Sequence, residues 1–198
     1  VDQVLDKTEA RRDLGRPRLP VDRSFTITGI GTVVTGTLID GAFTVGQEVE
    51  LANSGRHARI RGLQSHQSKV DQSQPGVRLA VNLSGLSRSD VPRGEVLTSA
   101  GWLRKTNRLD ARVTMVKGAP HALKHNEGVT FHLFTSETTA RVRLLDVDRL
   151  AAGEDGNVFE HRLATIAVAG SLDGANLKHA AEFVDDEHRQ RFAGDILG

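Results

Sequence analysis

The sequence predicts an all-β protein made of two consecutive small antiparallel β-barrels, with a short C-terminal helix. Three observations lead there. From Leu19 to about Leu145 apolar residues recur with a period of two, the signature of strands that bury one face. Turn-forming residues interrupt that alternation at strand-length intervals, which suits a small closed barrel. The alternation lapses near Thr98–Asn107 and starts afresh at about Arg108, so the join falls there, and 198 residues leave room for two units of roughly 100.

In chain order, Gly29 and Gly31 within FTITGIGTVVTG predict a bulge or sharp bend, and Asp40-Gly41 after TVVTGTLI predicts a hairpin turn. Further turns are expected at Val45-Gly46, Asn53-Ser54-Gly55, Pro75-Gly76 and Pro92-Arg93-Gly94. The clearest strand is VRLAVNL, which puts Val77, Leu79, Val81 and Leu83 on a core face and Arg78, Ala80 and Asn82 on a wet one. Beyond the join, Ala111, Val113 and Met115, then Val129, Phe131 and Leu133, then Ala140, Val142 and Leu144 repeat the pattern. The last stretch differs. Leu177, Ala180, Ala181, Val184 and Phe192 fall close to helical spacing in LKHAAEFVDDEHRQRF, hence the predicted helix. The resulting division is a linker over 1–17, a first barrel over 18–99, a linker over 100–107 and a second barrel over 108–198.

Composition narrows the function classes. Hydrophobic residues at 38% and charged residues at 26% are the balance of a soluble globular chain. No apolar run approaches the roughly 18 residues of a membrane helix, so no membrane partner is expected. The opening VDQVLDKTEARRDLGRP has no apolar signal-peptide core and reads as sequence entered part-way along a longer chain. With 0 Cys, disulfides and thiolate chemistry are excluded, and a cytoplasmic setting is expected. Lys and Arg total 26 against 25 Asp and Glu, so any contact with nucleic acid must be local rather than driven by net charge.

Signatures of catalysis are missing. There is no G-x-x-x-x-G-K-[ST] loop, no G-x-S-x-G elbow and no H-E-x-x-H, so no catalytic residue and no metal ligand is assigned. TGIGTVVTG is rich in glycine, but it sits among β-branched residues with no helix to follow, so it lacks the anion site of a phosphate cradle. His121 and His125 stand four apart after Pro120, with no carboxylate or Cys to complete a metal site; they read as a solvated pair. Trp102, in the expected linker, reads as a packing residue between the barrels.

The segments RLPVDRSFTITGIGTVVTGTLIDGAFTVGQEVEL and ARIRGLQSHQSKVDQSQPGVRLAVNLSGLSRSDVPRGEVL together resemble the second domain of translation GTPases. The shared features are a G-x-G-T-V-V-x-G strand pair, a V-G turn, a strand preceded by P-G and a closing R-G. Within that superfamily RLPVDR-x-F-T-I resembles the selenocysteine-specific, SelB-like factors. The likeness is strong over about Arg18–Leu97 and thinner over RLDARVTMV, GVTFHLFTSETTARVRLLD and LAAGEDGNV, which look like the third domain. Beyond Val158 it fails: FEHRLATIAVAGSLDGANLKHAAEF stands where the family has a short strand pair and a G-D-x-[FL]-[IV]-[LI]-R element.

The resemblance implies translation-factor barrels that hold the acceptor end of selenocysteyl-tRNA for delivery to the ribosome. It further implies a G domain upstream that binds GTP and Mg2+, and winged-helix domains downstream. This chain would carry no cofactor of its own. Selenocysteine is an anion near neutral pH whereas the serine of the precursor tRNA is neutral, so a guanidinium-lined pocket separates them by one charge. By position, Arg23 and Arg78 match the two basic pocket residues and Asp22 the acidic one that engages the α-amino group. Gln64 and His66, in RGLQSH, match the region that holds the terminal adenosine.

Pattern alone leaves other readings open. Arg78 lies on the polar face of its strand, whereas Arg23 shares the phase of Leu19, Val21, Phe25 and Ile27. Asp22 and Arg23 therefore also read as an exposed pair or a bulge, Arg78 as part of a wet face, and Gln64 and His66 as surface residues at a strand end. The alternative function is the barrel pair of a general translation GTPase, serving as a ribosome or protein docking platform.

Overall fold

A computed structural model describes residues 13–168, 179–184 and 191–196, with side chains described up to Val158 apart from Arg104. The architecture is all-β. The first unit holds β1 (Arg18–Ile27), β2 (Gly31–Thr37), β3 (Glu48–Leu51), β4 (Arg56–Ser65), β5 (Ser68–Val70), β6 (Arg78–Leu83) and β7 (Val96–Ser99). These run in the order β3-β7-β1-β2-β6-β4-β5, and a further β3–β4 pairing closes the first six into a ring, with β5 attached to β4. Closure abolishes the exposed strand edges of an open sheet.

Two long strands make closure possible by changing partners along their length. Arg18–Pro20 of β1 pair with β7 while Val21–Ile27 pair with β2, and the register shifts between Val21 and Arg23. Likewise Arg56–Arg59 of β4 pair with β3 and the following residues with β6, with a shift between Ile60 and Gly62. Bulges at both corners turn the sheet, as barrel corners require. Inside, Leu19, Val34, Phe43, Leu51, Ile60, Leu79, Val81 and Leu97 are fully or almost fully buried. Each such side chain contributes on the order of 1.5–3 kcal/mol relative to exposure.

The second unit comprises β8 (Arg104–Thr114), β9 (Leu123–Lys124), β10 (Gly128–Leu133), β11 (Ser136–Leu144), β12 (Arg149–Leu150), β13 (Asp155–Val168), β14 (His179–Val184) and β15 (Arg191–Ile196). Six of them form a closed barrel in the order β10-β11-β13-β8-β15-β14, and β9 pairs with β12. The three alternating triplets anticipated here, from Ala111 to Leu144, are all buried. The glycines of the four anticipated turns, Gly46, Gly55, Gly76 and Gly94, all have positive φ.

Three expectations are corrected. The helix over Leu177–Phe192 is strand wherever that stretch is described: β14 pairs with β10 and with β15, and β15 with β8. The remainder of that stretch lies outside the described residues. The pairing needs of β8 and β10 prevail over a short apolar pattern that suits either state. The fresh strand begins at Arg104 rather than Arg108, because β8 also pairs with the far end of β13 across a register shift.

Asp40-Gly41, finally, is not a hairpin turn, since β2 pairs with β1 and β6 and not with β3. Asp40 is instead buried against Arg18 at 3.3 Å.

Gly36 shows how tightly β1 and β2 are packed: a Cβ there would lie 2.2 Å from the Pro20 carbonyl oxygen and 2.8 Å from Leu19. A methyl group at Gly62 would meet nothing within 4 Å. We therefore expect Gly36→Ala to destabilise by about 1–3 kcal/mol or more and Gly62→Ala to stay within about 0.5 kcal/mol. Thermal melts followed by circular dichroism check this contrast.

Candidate functional site

The β1 bulge creates the site. One extra residue, Asp22, sits between the Val21–Gly36 and Arg23–Thr35 pairs, so the facing of the strand flips after it. Val21 stays buried, while Arg23, two residues on, is exposed. This resolves the phase conflict in the sequence: Arg23 shares the numbering parity of the core residues but not their direction. Phe25 and Ile27 follow it outward, at 36% and 37% exposure.

The bulge is held by the turn at Pro92–Gly94. Val21 N–H donates to the Glu95 carbonyl at 2.7 Å and Gly94 N–H to the Val21 carbonyl at 3.0 Å. Glu95 is itself buried, its carboxylate accepting the N–H groups of Asn53 (2.7 Å), Val96 (3.0 Å) and Ser54 (3.2 Å). Arg93 is thereby delivered to Asp22, at 3.4 Å. Arg78 approaches the same carboxylate from across β2, at 2.7 Å. The Arg78 hydrogen bond is the chief reason the Asp22 carboxyl titrates below the ordinary aspartate range, and the fields of Arg23 and Arg93 add to it.

Three hollows adjoin this point. One, of about 660 Å³, is lined by Asp22, Arg23, Ser24, Phe25, Arg88, Ser89, Pro92 and Arg93. Arg88 reaches it from a single 3₁₀ turn (Arg88–Asp90), which Asp90 braces by accepting the Ser87 N–H (2.8 Å) and hydroxyl (2.7 Å) and pairing with Arg56. A second, of about 420 Å³, is lined by Arg78 with Thr35, Gln64, His66, Gln67, Leu79 and Ala80. The third, of about 740 Å³, has the most apolar side chains along it: Phe25, Ile27, Ile30, Val33 and Ala80 line it with Gln64, Asn82, Arg61 and Lys69. The Asn82 Oδ1 is buried and has no hydrogen-bond partner.

Among the anticipated residues, Asp22 and Arg78 are thus in direct contact, whereas Arg23 and Arg78 border different hollows with the Asp22 carboxylate at the boundary. Gln64 borders both the Arg78 hollow and the apolar one; His66 borders only the former. His66 and Gln67 form the tip of the β4–β5 hairpin with φ of +49° and +66°. Neither is glycine, and side chains in that region cost on the order of 1 kcal/mol each, strain of the kind that gathers at functional positions.

Arg88 and Arg93 were not singled out from the sequence. The signal for Arg93 was its place in the closing R-G, read there only as a turn. Elsewhere, His125 Nδ1 lies 3.1 Å from the Leu144 carbonyl, and the Trp102 ring faces Arg16 and Arg18 at 5.7 and 5.9 Å. Among the described residues no group of three His, Asp or Glu is placed to hold a metal ion, and no helix is long and apolar enough to cross a membrane.

Replacing Arg78 removes the largest influence on Asp22, so in Arg78→Ala we expect the Asp22 titration to move up toward the ordinary aspartate value of 3.8. The Asp22–Arg78 contact adds stability above that ordinary value and loses it as pH falls through the lowered one. Carboxyl-carbon NMR titration of the two proteins reads both statements.

Comparison with known proteins finds relatives among translation factors. The family Elongation factor Tu domain 2 matches residues 31–98. A selenocysteine-specific elongation factor of Desulfomicrobium baculatum is 44% identical over 137 residues, which is 69% of this chain and 22% of that protein. Elongation factor 1-alpha of Pyrobaculum islandicum is 40% identical over 87 residues, 43% of this chain and 20% of that one. The same factor from Pyrobaculum arsenaticum is 31% identical over 143 residues, 71% of this chain and 32% of its own. The chain therefore spans between a fifth and a third of the length of these relatives. With closed β-barrels and an Elongation factor Tu domain 2 at their start, these residues are barrel domains of a translation elongation factor.

Proposed function

We propose that the first barrel holds the aminoacylated 3′ end of selenocysteyl-tRNA within a selenocysteine-specific elongation factor. The division proposed with it is a linker over 1–17, a first barrel over 18–99 and a short connection, with the second barrel begun at Arg104, where β8 starts. The observation that carries the reading is the Asp22 carboxylate paired with Arg78 and Arg93, with the field of Arg23 on it, between the hollow that Asp22 and Arg23 line and the one that Arg78 lines.

The chemistry divides among the hollows. Asp22 is the partner for the α-ammonium of the aminoacyl group, and Arg78, relieved of Asp22, turns to the selenolate. That exchange is cheap, because Arg78 is 58% exposed in its pair with Asp22 and exposed ion pairs contribute only about 0–1 kcal/mol. Arg23, with Arg88 and Arg93 in the adjoining hollow, supplies further positive charge for the selenolate or for backbone phosphates.

The apolar hollow suits the terminal adenine, with Phe25, Ile27 and Ile30 as the packing surface and the unpartnered Asn82 oxygen as an acceptor for an N–H or O–H. Gln64, which borders both hollows, stands where the ribose would join base to amino acid, and His66 closes the aminoacyl side. The barrels bind and select. GTP and Mg2+ belong to a G domain elsewhere in the parent protein, which works in the cytoplasm with the ribosome and with winged-helix domains.

The test is made in the intact factor, comparing selenocysteyl- with seryl-tRNA at one salt concentration. Charge-assisted hydrogen bonds contribute about 1.5–3 kcal/mol, so Arg78→Ala should cut the preference for selenocysteine by about tenfold or more, and Arg23→Ala by less. An unchanged preference in both variants would reject the pocket and favour a general docking platform, the reading to which the elongation factor 1-alpha likeness also lends itself.

A further inference from the structure

The chain enters and leaves the first barrel past one buried ion pair that borders none of the three hollows. The Arg18 and Asp40 side chains are only 6% and 4% exposed, with Nη2 and Oδ2 3.3 Å apart. Burial, with the Asp13 carboxyl beside it, raises the Asp40 carboxyl above the ordinary aspartate range, while the Leu14 N–H and then the Arg18 guanidinium favour its charged form.

The incoming segment is stitched to this pair. Asp40 Oδ1 accepts the N–H groups of Leu14 and Gly41, both at 2.8 Å. Asp13 Oδ1 accepts those of Gly15 and Gly41, both at 2.9 Å. The Pro17 carbonyl accepts the buried Thr98 hydroxyl at 2.8 Å. Gly41 packs so closely that a Cβ would fall 2.5 Å from the Pro17 nitrogen, and its φ of +64° also requires glycine.

The outgoing connection meets the same cation. After β7 the chain turns, Trp102 N–H donating to the Ser99 carbonyl at 3.4 Å, and the indole lies under both Arg16 and Arg18. Arg18 thus has one face against the carboxylate that holds Leu14 and another against the indole of the connection to the second barrel. A buried charge cannot lose one partner without straining its hold on the others.

We propose that Asp40, Arg18 and Trp102 form a clasp that couples the segment entering the first barrel, Asp13–Pro17, to the connection leaving it, so that loosening one end loosens the other. Whatever precedes Asp13 in the parent protein is then mechanically linked to the second barrel through side chains, and not only through the first barrel's sheet.

Trp102 is the single tryptophan of the chain, so its fluorescence reads the outgoing end alone, while amide hydrogen exchange at Leu14 and Gly41 reads the incoming end. Asp40→Asn keeps the size and one acceptor oxygen but removes the charge facing Arg18. We expect exchange at Leu14 to speed up about tenfold and acrylamide quenching of Trp102 to rise about twofold in the same protein. The reciprocal change, Trp102→Leu, should speed exchange at Leu14 several-fold although the Leu14 N–H is bonded to Asp40 and not to the indole. Faster exchange at Leu14 in Asp40→Asn with unaltered Trp102 quenching, or unaltered exchange in Trp102→Leu, would show two independent ends and overturn the clasp. Should Asp40→Asn not fold, Arg18→Lys takes its place, since it keeps the charge but lacks the planar guanidinium. Coupled loosening of both ends in that variant supports the clasp, and loosening of one end alone overturns it.

Discussion

Strand β1 cannot stay regular and still serve both of its neighbours. Its first three residues pair with β7 and the rest with β2, and the sheet turns a corner where the partner changes. The inserted residue at that corner is Asp22, and everything assigned to the binding face follows from its insertion. The insertion turns Arg23 outward, brings Phe25 and Ile27 to the surface, and leaves a carboxylate standing where Arg78 and Arg93 converge. The backbone bonds between Val21 and the Gly94–Glu95 segment keep the bulge in place, and buried Glu95 anchors that segment to the β3–β4 turn.

Asp22 offsets one of the guanidinium charges around it in a largely solvent-exposed cluster, where Coulomb energy is low and rearrangement correspondingly cheap. In the proposed complex, a ligand bearing an ammonium and an anion replaces one pair by two. The Arg18–Asp40 pair is the opposite case. It is buried, hydrogen-bonded to the incoming backbone and stacked on Trp102, so it resists exchange and acts as structure. Arg78–Asp22 and Arg18–Asp40, two of the first barrel's ion pairs, thus share a composition and differ in burial and in what else they hold. The second barrel touches the first where Gly94 packs against Ser136, so the turn that fixes the bulge also abuts the β10–β11 turn.

Much of this was legible along the chain. Period-two alternation located the core residues of both barrels because each strand buries one face, and that constraint is local. The turn glycines were legible because only a residue without a side chain adopts positive φ freely. The types of residue at the site were legible through the likeness to translation factors. Arg88 and Arg93 were not, because nothing in S-R-S-D-V-P-R-G distinguishes a surface arginine from one delivered to a carboxylate 71 positions away.

What the sequence by itself determined, then, is the fold class, the buried faces and the kind of chemistry available, all of which depend on neighbours within a few residues. Tertiary structure alone decided the direction of Arg23, the burial of Asp40 and the strand state of His179–Val184. Each depends on a partner remote in sequence. A bulge reverses the facing that parity predicts, an aspartate before glycine becomes an anchor once an arginine meets it, and an ambiguous apolar run becomes strand when open edges need hydrogen bonds.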